Sequence, residues 1–444
     1  MTLIDVDEKI STRGGLFGLP WMPDGLKKRG GLGPPRGADP SETLERIRPL
    51  FAEAGITRLA HVTYLDKHDI PVTLSIRPNA KSMTCSSGKG LTLEAALVSG
   101  AMEGLELYAA EDPSIPWFSA TYEELDCARV PTERLPFRAE SRFHPARRER
   151  WHMAWDLMNR EMVAIPFETV FMDLCFELVR ETTATFRTDS NGLASGNHPA
   201  EALASALYEV VERDAVTCWD SVIEELGRNP PRVDLSNAPS ARLENLVERI
   251  LSAGLNPYLF DVSVDTDVPT YEAFICDRES PRQVSGGYGA HLDPCVAMER
   301  ALIEAVQGRT VVIAGARDDI YELYYDIRRL EGADRFLDWA ESIPATAEMR
   351  EDQSTDSFEG DVQVVLEKLQ KAGLHQAMAV NLTPDGWPIT VVRVCVPGLE
   401  GYHRFNVPGF RCHAHVEGVA SGQRAAAPVA GNHGGVYHFP AGGA

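Results

Sequence analysis

The sequence predicts an α/β protein, and three observations carry that expectation. Stretches with an alternating apolar rhythm are interleaved with stretches of helical rhythm along most of the chain. Three alanine-rich helices repeat one polar template. Each of the three follows a glycine-containing turn. The templates are Ser99, Glu103, Glu106; Ser205, Glu209, Glu212; and Arg300, Glu304, Gln307. Positions i, i+4 and i+7 share one helix face. The central glutamates lie 106 and 95 residues apart, too far for a solenoid. The expected architecture is therefore a set of related α/β units whose helices converge.

Element by element, residues 1–38 are rich in Gly, Pro and Arg and predict an irregular arm. "DPSETLERIRPLFAEAG" predicts a helix, with Asp39 or Ser41 as cap, Pro40 in the first turn and Gly55 at the exit. "ITRLAHVTYL" and "IPVTLSIRP" predict a strand pair. "SSGKG" predicts the glycine turn before the first template helix. Residues 112–150 lack a period and predict a short helix with surface loops. "WHMAWDLMN" and "EMVAIPFETVFMDL" predict strands. "RVDLSNAPSARLENLVERILSAGLNPYLFDVSV" predicts a helix ending near Gly254, then a strand, and "TYEAFICD" another. "DSFEGDVQVVLEKLQKAGLHQAMAVNLT" predicts a helix and a strand, and "PITVVRVCVPGLE" a last strand. Past Val416 the composition is low in complexity, so the expected division is an arm at 1–38, a catalytic domain at 39–416 and a flexible tail at 417–444.

The 444 residues carry 43 Lys and Arg against 65 Asp and Glu, a net charge of -22. That balance argues against nucleic acid or an anionic membrane as partner, because both need a basic surface. Eight scattered cysteines without a CxxC pair predict reduced thiols rather than a disulfide framework. The N-terminus lacks an apolar signal-like core, and no apolar run approaches membrane length, so a cytoplasmic location is expected.

Carboxylates on converging helices repel one another unless a cation lies between them. Mg2+ takes oxygen ligands and bridges to phosphates. Glycine turns at helix N-termini offer N–H groups to phosphate oxygens. Lys89 and Arg213 are candidates to neutralise phosphate charge. The expected site is a nucleotide–Mg2+ site built without a Walker loop, since "SSGKG" lacks the GxxxxGK[ST] spacing.

"SSGKGLTLEAALVSGAMEGLE", "GNHPAEALASALYEVVERDA" and "GYGAHLDPCVAMERALIEAVQGR", in this order and spacing, resemble the YcaO family from about residue 36 to about residue 405. The resemblance implies a YcaO-type composite α/β fold of repeated units, with convergent helices forming an ATP cleft, and ATP and Mg2+ as cofactors. It implies ATP-dependent activation of a backbone amide in a ribosomally made precursor peptide. Side-chain nucleophiles give azolines, a backbone amide gives amidines, and sulfide gives thioamides. By motif, Glu103, Glu106, Glu201 and Glu212 match Mg2+ ligands. Ser99, Asn197, Glu209 and Arg213 match nucleotide contacts, and Arg36 and Thr43 fall near the N-terminal contacts. Lys89 is expected at the phosphates, and Arg300, Glu304, Gln307 and Arg309 match the third motif. No residue is assigned as catalytic base. His198, after the Gly-Asn pair, and the order Ala194-Ser195 depart from the pattern.

The end "VYHFPAGGA" lacks the proline-rich tail common in cyclodehydratases. The segments starting "PSETLERIRPLFAEAG" and "PITVVRVCVPGLEG" resemble the branch that works with a TfuA-like sulfur-delivery protein. The resemblance therefore implies thioamidation and a homodimer, and because the first 38 residues are too short and irregular for a peptide-clamp domain, a separate leader-peptide-binding protein is expected. The alternative of another class is a non-catalytic ATP-binding scaffold. His403, Cys412, His413 and His415 match no zinc-finger spacing and predict a loop with incidental histidines. Cys85 is expected as a buried structural thiol. The basic run from Arg142 to His152 is expected as a solvated loop, with a docking surface as the alternative.

Overall fold

The computed structural model describes residues 18–19, 22, 27–31, 33–111, 113–137, 141–175, 185–277, 284–320, 333–401 and 409–423. Most of the expected arm and most of the expected tail, from residue 424 on, lie outside these residues. A hairpin of β1 (Arg29–Gly31) and β2 (Gly33–Arg36) precedes α1 (Pro40–Ile47). Next in the chain are β3 (Arg58–His61), β4 (Val72–Ile76), β5 (Cys85–Lys89) and α2 (Leu93–Glu111). Strands β6 (Phe118–Thr121), β7 (Arg148–Asp156), β8 (Glu161–Pro166) and β9 (Leu193–Gly196) lead into α3 (Pro199–Leu226). Beyond it lie α4 (Ala241–Ser252), β10 (Leu255–Asp261), β11 (Thr270–Asp277), β12 (Val284–Ala290) and α5 (Pro294–Ala314). The described elements end with α6 (Ala333–Ser342), α7 (Phe358–Lys371), β13 (Met378–Asn381), β14 (Thr390–Cys395) and α8 (Phe410–Ala420).

The chain is α/β, as expected, and the repeat is deeper than the three template helices. The first unit is a helix, three antiparallel strands and a helix: α1, β3-β4-β5, α2. The second has the same order: α4, β10-β11-β12, α5. The third has the same spatial order, α7, β13-β14-β9, α3, but its last strand and helix come earlier in the chain. Its sheet is widened to six strands by β6, β7 and β8. Each unit passes from its first helix to its first strand through Ala-Gly-aliphatic: Ala54-Gly55-Ile56, Ala253-Gly254-Leu255 and Ala372-Gly373-Leu374. These glycines have φ of +70°, +70° and +82°, the left-handed exit that ends a helix. The aliphatic residue after each is buried.

Four expectations are corrected. "SSGKG" is no turn: residues 86–89 belong to β5, and "GYGA" likewise belongs to β12. Their glycines let a helix lie directly on the strand. A Cβ on Gly88 would sit 2.1 Å from the Ala96 carbonyl oxygen, and one on Gly289 2.1 Å from that of Ala297. The arm holds the β1–β2 hairpin. The 112–150 stretch contributes β6, a single 3-10 turn at Thr132–Arg134 and the start of β7, not an α-helix, within its described residues. Residues after Gly409 form α8, which runs across position 416.

The core lies between the units. Leu203, Leu207 and Val211 of α3 pack with Val362, Leu366 and Leu369 of α7 and with Val392 and Val394 of β14. Ala101 and Leu105 of α2 meet Met378 and Val391. Leu246 and Ile250 of α4 meet Ala301 and Leu302 of α5. These contacts set the polar faces of α2, α3 and α5 toward one cleft.

Candidate functional site

The template positions have distinct structural jobs. The i+4 glutamate grips a strand of its own unit or, for Glu209, the turn just before β9. Glu103 accepts the Ser87 N–H at 3.2 Å, Glu209 that of Gly192 at 3.2 Å, and Glu304 that of Tyr288 at 3.4 Å. The i+7 residue crosses to another unit. Glu106 accepts the Ser195 N–H at 2.8 Å and its hydroxyl at 2.5 Å. Glu212 accepts the Ala290 N–H at 3.0 Å. Gln307 donates from Nε2 to Ser87 Oγ at 2.9 Å. The first unit thus binds the third, the third binds the second, and the second binds the first. Lys89 on β5 closes the same ring through its ion pair with Glu304.

In the first turn of α3, Glu201 accepts the Asn197 N–H at 2.9 Å. Asn197 Oδ1 accepts the Thr43 hydroxyl at 2.9 Å and Arg46 Nη1 at 3.2 Å, which ties α1 to the site. Arg36 stands at the rim with Nη1 3.8 Å from Glu201 Oε1.

The cleft has a volume of about 320 Å³. Its walls include Arg36, Thr43, Lys89, Ser99, Glu103, Glu106, Asn197, Glu201, Glu209, Glu212, Arg213, Arg300, Glu304 and Gln307. Arg309, expected with them, is not brought there. Nine residues beyond Arg300 on α5, it lies on the opposite side of the helix. Its guanidinium sits 2.9 Å from Asp66 and 3.5 Å from Asp277. His198 also stays out of the cleft and caps α3, its Nδ1 accepting the Ala200 N–H at 3.2 Å. Ser87 lies in the quoted "SSGKG" stretch without being singled out there, Arg46 belongs to no motif, and Ser195 stands out only as a departure from one. Their signal is pairing across units, which no local pattern carries.

Six carboxylates share this space, and burial is the main cause of the raised proton affinity of Glu103, Glu106, Glu209 and Glu212. It pushes Glu103 up to about 7, aided by the charge of Glu304 and opposed by Arg317 and Lys89. Burial, with the charges of Glu103 and Glu209, pushes Glu106 up to about 8 against the Ser195 hydrogen bonds. Burial and the Glu212 charge take Glu209 to about 7. Glu212 is raised too, by burial and by Glu304. For Glu304, burial is outweighed by Lys89 and Arg213, and the carboxyl is held below its ordinary range. Crowded oxygen donors of this kind suit a hard cation such as Mg2+, and the cations Lys89, Arg213, Arg300 and Arg36 suit phosphate oxygens.

The other signals resolve differently. Cys412 and His415 are buried in the helix α8 rather than in a loop, with His415 edge-on to Trp219 at 5.1 Å, and His413 is exposed on that helix. His403 lies outside the described residues; among these no three His, Cys, Asp or Glu side chains, the cleft glutamates included, are gathered closely enough to enclose a metal ion, so an ion in the cleft would take nucleotide oxygens as ligands beside one or two carboxylates. Cys85 is buried, and burial pushes its thiol up to about 11. In the basic run Arg148 pairs with Glu124 at 2.9 Å, Arg147 lies 3.7 Å from Glu149, and Arg150 stacks against Trp117, Phe167 and Phe171.

The model of the YcaO cyclodehydratase family, described as binding ATP and Mg2+, matches residues 87–400. The chain belongs to the YcaO family, a family of ATP-dependent peptide-modifying enzymes. A Methanothermobacter thermautotrophicus protein is 36% identical over 377 residues, covering 82% of this chain and 95% of its own. A Rhizobium leguminosarum bv. trifolii protein, described as lying in the tfuA 3' region, is 33% identical over 383 residues, with 82% and 88% covered. A heterocyclase solved with substrate and cofactor aligns with a TM-score of 0.71 at 22% identity, over 86% of this chain and 55% of its own. This chain thus spans just over half the length of that heterocyclase. YcaO from Methanopyrus kandleri, bound with AMPPCP and Mg2+, aligns with a TM-score of 0.69 at 24% identity, covering 87% and 99%. Among the described residues no helix is long and apolar enough to cross a membrane.

Proposed function

We propose that this chain activates a backbone amide in a ribosomally made precursor peptide and converts it to a thioamide, with sulfur supplied through a TfuA-like partner. The observation that carries the nucleotide chemistry is the convergence of six carboxylates and four cationic side chains on one cleft. Glu103, Glu106, Glu201 and Glu212 would hold Mg2+, which supplies charge neutralisation on the triphosphate. Ser99, Asn197, Glu209 and Arg213, with Arg36 and Thr43 at the rim, would hold the nucleotide. Lys89 and Arg300 place fixed positive charge where phosphoryl oxygens gather negative charge. Glu304 keeps Lys89 oriented, and Gln307 keeps β5 in place. In the overall reaction sulfide joins the amide carbon, the amide oxygen leaves on phosphate, and ATP becomes ADP.

The relative in the tfuA 3' region supports the thioamide branch. A separate protein that binds the leader peptide, and a homodimeric state, complete the proposal. The test is incubation with Mg2+–ATP, sulfide and a candidate precursor, with and without a TfuA-like protein, followed by mass spectrometry. The expected product exchanges one oxygen for sulfur and depends on ATP. Loss of one water instead would assign ring formation. Unaltered precursors without peptide-dependent ATP hydrolysis would leave a nucleotide-binding scaffold. Glu201→Ala is expected to abolish peptide-dependent ATP turnover, read as phosphate release.

A further inference from the structure

We propose that Lys28 and Arg242 are positioning residues that clasp the β1–β2 hairpin against the cleft and thereby present Arg36 to bound nucleotide, an inference that rests on the nucleotide site proposed above. The hairpin supplies Gly33, Pro34 and Arg36 to the cleft wall. A lone two-stranded ribbon is marginal in water, so its position depends on what holds it.

Two pins hold it. At the base, Lys28 Nζ lies 2.5 Å from Asp361 Oδ2 and donates to the Thr355 carbonyl at 2.7 Å. The two charged side chains are 8% and 1% exposed. The same Asp361 oxygen accepts the Tyr208 hydroxyl at 2.9 Å, and Tyr208 adjoins Glu209 on α3. At the turn, Arg242 Nη1 donates to the Gly33 carbonyl at 2.8 Å. Its Nε holds the buried Glu299 at 2.6 Å, and Glu299 adjoins Arg300 on α5. Each pin therefore runs from the hairpin to the neighbour of a cleft residue on a different template helix. Buried ion pairs give little net stability over apolar replacements but impose a fixed geometry. Arg36 benefits most, because its own side chain is 45% exposed and its position is set by the strand that carries it.

The test uses the full chain and the variants Lys28→Met, Arg242→Met, Arg36→Ala and their doubles. Calorimetry reads Mg2+–ATP affinity, and amide hydrogen exchange reads the hairpin. Each clasp variant is expected to weaken nucleotide binding roughly tenfold, within the coupling range of contacting networks. Combined with Arg36→Ala, neither is expected to weaken it further, and Lys28→Arg is expected to restore most of the loss. Exchange should quicken at Arg29, Gly30, Gly31, Gly33 and Arg36, since Pro34 and Pro35 carry no amide hydrogen, and stay unchanged on α2. Unchanged affinity, or losses fully additive with Arg36→Ala, overturns the proposal, as does unchanged hairpin exchange. Should Lys28→Met fail to fold, Arg242→Lys tests the turn pin alone, because it keeps a cation for the buried Glu299 and removes the Nη1 donor to the Gly33 carbonyl. A wild-type chain that does not bind Mg2+–ATP would sink the nucleotide site itself, and hairpin exchange would still decide the clasp.

Discussion

Gln307 stands where the other template helices carry Glu106 and Glu212. It donates to the Ser87 hydroxyl, whereas the two glutamates accept backbone N–H groups and Glu106 also accepts the Ser195 hydroxyl. The glutamates also give the site a pH dependence. Glu103, Glu106 and Glu209 rise from the usual 4.5 to about 7, 8 and 7, chiefly by burial. A group whose folded value is raised favours the folded state below its unfolded value and loses that contribution as pH climbs through the folded value. Without ligand, the melting temperature is expected to fall as pH rises from the usual 4.5 toward 7 to 8, where these three groups ionise in the folded chain, and to level off above that. Glu106→Gln should flatten that fall in a thermal scan. Mg2+–ATP should release protons on binding near neutral pH, visible as a buffer-dependent heat in calorimetry.

At the level of secondary-structure elements, strand and helix meet at backbone distance. Gly88 on β5 leaves no room for a methyl group, since its Cβ would fall 2.1 Å from Ala96 O and 2.3 Å from Gly100 N. Gly88→Ala must push β5 away from α2, and overpacking of this kind costs about 1–3 kcal/mol or more. Denaturant unfolding should show the loss, and nucleotide affinity should drop with it, because Ser87 and Lys89 move with the strand. The same elements show what local patterns hide. A glycine-rich stretch before a helix reads equally as a turn or as a strand pressed on that helix. Only the register of Thr73 against Gly88, and of Tyr271 against Gly289, separates the two.

Across the three units the chain closes a ring, and each i+7 side chain is a clasp between neighbours. The cleft at the centre therefore depends on all three units at once. Ligand that binds only this assembled state stabilises it by mass action, about 2.7 kcal/mol at a hundred times its Kd. Mg2+–ATP is expected to raise the melting temperature, and ATP with a chelator to raise it much less. A variant lacking one of the proposed Mg2+ ligands, Glu103→Gln, should blunt the Mg2+-dependent part. An equal rise with and without Mg2+ would argue against the carboxylates as metal ligands.

The α/β class, the three template helices and all but one of the residues expected at the cleft are legible in the amino-acid order. Helical spacing is a local property, and a shared face follows from 3.6 residues per turn wherever the helix packs. Arg309 is the exception, although the same geometry puts it opposite Arg300 on α5. Its partners Asp66 and Asp277 come from other strands and loops and show only in the fold. The Ala-Gly-aliphatic exits are also present in the chain, but the third unit is permuted, so no constant period exposes them. Tertiary packing alone selects which units bind each other, gives Ser87 and Ser195 their importance, and makes the N-terminal hairpin a wall of the site. Those facts rest on hydrogen bonds and close contacts between residues far apart in the chain, such as Glu106 with Ser195. Local periodicity encodes which face of a helix is polar; packing encodes what that face meets.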